Sequence, residues 1–155
     1  MARRSAGILL YRLTGDGPEF LLVHPGGPFW AKRDEGAWSI PKGEYEEDED
    51  PLASALREFE EETGTLLEPG ELVELGSVKQ KSGKVVVAWA TRGDLDVDVI
   101  HSNTFVMEWP PRSGSTAEFP EVDRAGWFDP AAARRKLVAA QAAFVDRLLE
   151  RLDAA

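Results

Sequence analysis

Glu58, Glu61 and Glu62 follow one another at the spacing i, i+3, i+4. On an α-helix that spacing makes three carboxylates neighbours on one face, where like charges repel and destabilise the isolated helix. A cation held among them removes the repulsion. Oxygen ligands of this kind suit a hard divalent ion such as magnesium or manganese. A solvated acidic face is the plain alternative, and three glutamates alone do not exclude it. The charge distribution sharpens the question. The chain of 155 residues has a formal net charge of −10, and between Gly43 and Gly64 there are ten acids and a single base, Arg57. The rest of the chain is nearly balanced.

A helix must carry these residues. Asp50 is placed to cap it, Pro51 suits its first turn, and Gly64 suits its exit. At about 100° per residue, Leu52, Ala55, Leu56 and Phe59 form one buried stripe, and the three glutamates fall on the opposite half. Ser54 lies one turn away on the acidic face and leaves room there.

From Gly43 the segment reads GEYEEDEDPLASALREFEEETGT. Gly43 is followed after five residues by Glu49, then after seven by Arg57-Glu58 and the apolar Phe59. Glu61-Glu62 and Gly64 complete the pattern. At every charged and glycine position this resembles the signature box of the Nudix hydrolases; Thr65 stands where that family usually has an aliphatic residue. The resemblance implies an α/β fold, a Nudix-type α/β/α sandwich with a mixed sheet. It implies magnesium or manganese as cofactor, with Glu61 and Glu62 as principal ligands and the carbonyl of Lys42 as a further one. Glu58 would be a ligand or the general base. Glu49 and Arg57 would brace the carboxylates. Many members recruit another acid from a later loop, about six residues before a tryptophan. Glu121 has that relation to Trp127, and Glu118 is the fallback. The reaction implied is attack of an activated water on a diphosphate, with no covalent intermediate.

Trp38-Ser39-Ile40-Pro41-Lys42-Gly43 resembles the W-x-x-P-K-G version of the motif. That version is frequent in branches acting on diadenosine polyphosphates and diphosphoinositol polyphosphates. The branch that removes oxidised nucleoside triphosphates more often has Pro-Gly-Gly. A dinucleoside polyphosphate such as diadenosine tetraphosphate, cut to ATP and AMP, is the expected substrate. An oxidised dGTP-type triphosphate is the alternative. A diphosphoinositol ranks lower, because it calls for a denser basic surface. Phe29, Trp30 and Trp38 are available to stack on a base, though Trp38 equally suits the core. Lys42 places a positive group beside the phosphates; Lys79, Lys81, Lys84 and Arg112 are further cations that serve phosphates or only the surface. A non-catalytic nucleotide sensor of the same fold belongs to a different class, and the intact carboxylates argue against it. A calcium-binding module is disfavoured by the spacing.

The remaining elements follow from patterning. Ser5–Arg12 and Phe20–His24 read as short buried strands joined by a Gly-Asp-Gly-Pro turn. Pro25–Gly36 reads as a glycine-rich loop. Trp38–Ile40 is an extended piece stopped by Pro41. Leu72–Gln80 and Lys84–Thr91 read as a hairpin, Asn103–Trp109 as a strand and Pro110–Gly126 as a loop. Asp129-Pro130 opens a helical region with Leu137, Gln141, Phe144, Leu148 and Leu152 on one side. One domain over residues 1–155 is expected. Cysteine is absent, which removes disulfides and thiolate chemistry, and His24 and His101 are too few for a multi-histidine zinc site. No apolar run approaches the roughly 18 residues a membrane helix needs. A cytoplasmic monomer or homodimer is expected, acting on a small-molecule nucleotide and binding neither nucleic acid nor membrane.

Overall fold

The computed structural model describes residues 3–153. Strand β1 (Arg4–Thr14) is the centre of the sheet, and Ser5–Tyr11 is buried without interruption. Such a run is what a strand covered on both faces requires. Strand β5 (Val85–Arg92) lies parallel to it on one side, with Ala6 opposite Val87 and Leu10 opposite Thr91. The other side is shared. β2 (Gly17–Pro25) pairs antiparallel with the C-terminal part of β1, and the short β3 (Lys42–Glu44) pairs antiparallel with Ser5–Gly7. β4 (Val73–Lys79) flanks β5, and β8 (Val122–Phe128) flanks β2, which completes the mixed sheet. β6 (Thr104–Glu108) and β7 (Thr116–Pro120) form a separate two-stranded ribbon.

Alternation along β1 and β2 sorts the core into two layers. Ala6, Ile8, Leu10 and Leu21 face α1 (Pro51–Thr63), meeting Ala55 and Phe59. Leu9, Tyr11, Phe20 and Leu22 face the other way, toward α2 (Pro130–Lys136) and α3 (Ala142–Asp153), meeting Ala133, Phe144, Val145 and Leu148. The result is the expected α/β/α sandwich.

Helix α1 has the expected ends. The Asp50 carboxylate accepts from the Ala53 N–H at 3.0 Å, and Gly64 closes the helix in the left-handed region at φ 77°. The Thr63 and Glu61 carbonyls at that end accept from the N–H groups of His101 and Asn103, at 2.9 and 2.8 Å. Ser54 departs from expectation: it is buried, because the acidic side of α1 lies over β3 instead of facing open water.

Two other expectations change. Pro110–Gly126 is not one loop, since it contains β7 and most of β8. β7 is an exposed ribbon strand and β8 a sheet edge carrying Asp123 and Arg124, so neither has an apolar run to mark it. The C-terminal helical region is two α-helices with a short 3-10 turn, Ala139–Gln141, between them. Leu137 is extended at φ −68°, ψ 147°; its own N–H still closes the last turn of α2 on the Ala133 carbonyl at 3.0 Å, but the groups on either side of it go to Trp38, with Trp38 N–H donating to the Lys136 carbonyl at 2.9 Å and Val138 N–H to the Trp38 carbonyl at 2.8 Å.

Candidate active site

The antiparallel ladder between β1 and β3 decides what Lys42 presents. Ile8 N–H donates to the Pro41 carbonyl and Tyr45 N–H to the Arg4 carbonyl, each at 3.1 Å. Antiparallel pairs alternate in the direction of their polar groups, so both the N–H and the C=O of Lys42 point away from β1. The Lys42 N–H donates to Glu62 Oε1 at 3.1 Å. The Lys42 carbonyl therefore emerges on the side where the α1 carboxylate stands.

Gly43 is required by close approach. A Cβ at that position would overlap the Glu58 carboxylate, which lies against the backbone of β3. Glu58 is held from its other side by Arg57, whose Nη2 is 3.5 Å from Glu58 Oε1. Arg57 Nη1 also bonds Glu49 Oε2 at 2.8 Å, and its Nε lies 3.9 Å from Glu61. Glu49 in turn accepts from the Glu46 N–H at 2.9 Å, so the loop entering α1 is tied to the helix face through one guanidinium. Arg57 thus contacts Glu49, Glu58 and Glu61 together.

Glu121 comes from the far end of the fold and is fixed by its backbone. Its N–H donates to the Asn103 carbonyl at 2.8 Å, and its carbonyl accepts from Gly26 N–H at 2.9 Å. Asn103 also bonds Glu61 of α1, so one chain of hydrogen bonds joins the helix end, Glu121 and the end of β2. Glu121, Glu62 and Lys42 line one cleft of about 220 Å³, together with Trp30, Ser39 and Gln80. Glu118 lies exposed on the ribbon, opposite Val106, and does not line this cleft.

The electrostatics follow from that crowding. Burial lifts Glu62 to about 8, against the pull of the Lys42 N–H and ammonium and with the push of Glu58 and Glu121. Burial and then Glu61 raise Glu58 and Glu121 as well. Burial, then the neighbouring Lys84, lowers Lys42. Among the described residues no three histidine, aspartate or glutamate side chains form a ready-made ligand cluster. The donor set still fits a hard divalent cation: several crowded carboxylates with raised proton affinity and a carbonyl directed among them have what such an ion neutralises.

The aromatic expectations divide. Trp30 is 39% exposed and lines the cleft, with the Arg33 guanidinium 5.5 Å from its ring centre. Trp38 is a correction: it is only 5% exposed, its Nε1–H donates to Asp34 at 2.8 Å, and its ring meets His24 and Phe128 edge-on. Core packing occupies it, so it offers no face to a base. Phe29 is also moved, since it packs edge-on against Trp109 at 5.7 Å and does not line the cleft.

Two groups went unread in the sequence. Fully buried His24 pairs through Nδ1 with Asp123 at 2.8 Å and through Nε2 with the Arg33 carbonyl at 2.6 Å, anchoring the loop that carries Trp30. Gln80, in the turn between β4 and β5, reaches the cleft; nothing in a lysine-flanked hairpin turn distinguishes it from a surface residue.

Comparison with known proteins agrees with this geometry. Residues 1–148 match the NUDIX domain family. The asymmetrical bis(5′-nucleosyl)-tetraphosphatase of Rattus norvegicus is 33% identical across 64% of this chain and 71% of its own length. That of Sus scrofa matches to the same extent. The C. elegans Ap4A hydrolase binary complex superposes with a TM-score of 0.67 at 20% identity, covering 99% of this chain and 100% of that one. The NUDIX domain of Shewanella oneidensis NrtR complexed with ADP ribose gives a TM-score of 0.64 at 18% identity, over 98% and 89%. With the box intact from Gly43 to Gly64 and the sheet order in place around it, the chain belongs to the Nudix family.

Proposed function

We propose that this protein hydrolyses a diphosphate bond in a dinucleoside polyphosphate, with diadenosine tetraphosphate giving ATP and AMP. The observation that carries the reading is the convergence of Glu62, Glu121 and Lys42 in one cleft with Trp30 on its wall. The 33% identity to asymmetrical bis(5′-nucleosyl)-tetraphosphatases supports the substrate class. Glu58, Glu61, Glu62 and the Lys42 carbonyl would hold magnesium or manganese. Such an ion supplies charge neutralisation at the phosphates and Lewis acidity. Glu121 faces the cleft with its proton affinity raised by burial and by Glu61, which suits it to take the proton of the attacking water. Glu58, wedged between Arg57 and Gly43, is suited to a fixed ligand position. Lys42 lies where the phosphate chain passes, and Trp30 offers a stacking surface to one base.

Products are the test. At one fixed magnesium concentration, diadenosine tetraphosphate should be turned over with a higher kcat/KM than oxidised dGTP, yield ATP and AMP by chromatography, and stop with a chelator. A good stack contributes about 1–3 kcal/mol, enough for roughly a tenfold preference. Preference for oxidised dGTP would replace the substrate assignment. Two ADP would place the cut symmetrically, and full activity after exhaustive chelation would remove the metal.

A further inference from the structure

Gln141 lies on the otherwise apolar stripe of the C-terminal helical region and is fully buried. The catalytic reading has no use for it. Its side-chain oxygen accepts from the backbone N–H of Ile40 at 3.0 Å. A backbone N–H donates and never accepts, so this contact fixes which end of the amide faces Ile40. The opposite end, Nε2, must then donate, and it does so to Ser39 Oγ at 3.1 Å and to Gln80 Oε1 at 2.9 Å. Ser39 Oγ is free to accept because its own proton goes to the Ile40 carbonyl at 2.7 Å.

The same logic passes to Gln80. Its oxygen is committed to Gln141, which leaves Nε2 and its two N–H bonds to find acceptors elsewhere. No acceptor among the described residues takes them. The Gln80 backbone cannot swing to relieve this, since its N–H donates to the Lys84 carbonyl and its carbonyl accepts from Gly83 N–H, each at 2.8 Å. Gln80 lines the cleft that holds Glu62, Glu121, Lys42 and Trp30. From this relay we infer that Gln80 is a specificity-determining residue, locked as a hydrogen-bond donor toward the cleft and selecting ligands that place an acceptor atom there. Gln141 is the positioning residue that sets its polarity. An amide free to flip offers a donor or an acceptor at will and discriminates little; one locked by a buried partner leaves a mismatched ligand with an unmade bond, which is where hydrogen-bonding sites gain selectivity. The inference rests on the cleft being the nucleotide site.

The acceptor belongs either to the nucleoside or to a phosphate oxygen, and one experiment separates them without turnover. AMP, GMP, CMP, UMP and inorganic pyrophosphate are titrated by calorimetry at one magnesium concentration into the wild type, Gln80→Met and Gln141→Met. Gln80→Met keeps the length of the side chain and removes its donors. Its affinity for the best-bound nucleotide should fall roughly tenfold, the scale of one hydrogen bond left unmade. If pyrophosphate binding is unchanged and the ranking of the four nucleotides flattens, the acceptor is on the nucleoside. If all five weaken by the same factor, it is a phosphate oxygen. Gln141→Met should give the same pattern at reduced size, although Gln141 does not reach the cleft; should that variant not fold, Gln80→Met decides alone. A Gln80→Met protein that binds all five ligands as the wild type does, with unchanged circular dichroism, overturns the inference. That result would be independent of whether diadenosine tetraphosphate proves to be the substrate.

Discussion

At Gly43 and Glu58 the chemistry is decided by the absence of a side chain. The Glu58 carboxylate occupies the space a Cβ on residue 43 would need. The clash in Gly43→Ala falls on the mobile end of a glutamate and not on backbone, so the variant should fold. Its melting temperature should stay close to that of the wild type while magnesium-dependent turnover drops by about tenfold or more, because a displaced ligand loses positioning worth more than 1.4 kcal/mol. A matching loss of both stability and activity would show that Gly43 matters for packing alone. Glu121 is tested differently. Glu121→Gln keeps the backbone bonds to Asn103 and Gly26 and removes only the ability to take a proton. Turnover should fall by about 10²–10⁴, the usual contribution of a positioned base. With magnesium saturating at every pH, so that the ligand carboxylates are already deprotonated, the acid limb of the pH–rate profile should be lost with it. An unchanged profile would return the base to Glu58.

Among the elements, α1 and the loop entering it are joined through Arg57, which bonds Glu49 and braces Glu58 and Glu61. Arg57 itself is exposed and its partners are partly so, Glu58 least, and ion pairs open to solvent contribute little to stability. Arg57→Met should therefore change the stability of the fold by under about 1 kcal/mol. The rate should fall by more than that stability change explains, since the carboxylates lose their orientation; equal turnover in the variant would reduce Arg57 to surface charge. Helix α1 was the most legible element, with Asp50, Pro51 and Gly64 marking its ends and its glutamates giving the chemistry. β1 and the β4–β5 hairpin were legible because burial on both faces or a Lys-Ser-Gly turn leaves a mark in the chain. β7 and β8 were not. β7 alternates over only five residues with Ala117 and Phe119 as its inner pair, too short a mark to read; β8 does not alternate and is a strand only because the edge of β2 is there to pair with it. Trp38 was ambiguous for a related reason, since an indole suits a core as well as a base. The break at Leu137 depends on Trp38, about a hundred residues away in the chain, supplying hydrogen bonds that a helix would have made internally. The Gln141–Gln80 relay was invisible as well, because a glutamine within an apolar stripe does not announce its partner.

Taken as a whole, the molecule concentrates its negative charge where the sheet, α1 and Glu121 meet, and that has a thermodynamic consequence. Glu62 has a proton affinity of about 8 in the folded chain, against 4.5 for an ordinary glutamate. Between those pH values the folded state binds more protons than the unfolded state, so stability falls as pH rises. The contribution is fully present below the unfolded value and is lost by the time pH has passed through 8. Glu58 and Glu121, also raised, act in the same direction. Glu49, Asp34 and Asp94 are lowered by their cationic and backbone partners and act oppositely, but their stabilisation is lost only as pH falls below the ordinary carboxylate range. A divalent ion needs the deprotonated carboxylates, so its binding releases protons and strengthens with pH; by mass action it then stabilises the folded state more at high pH than at low. Urea unfolding from pH 5.5 to 8.5 in the presence of a chelator should show stability declining across that range, and Glu62→Gln should decline less steeply. Excess magnesium should raise the wild-type curve most at its alkaline end and raise that of Glu62→Gln much less. Parallel curves for the two proteins, with and without magnesium, would mean that the Glu62 carboxylate neither holds its proton against the solvent nor meets the ion.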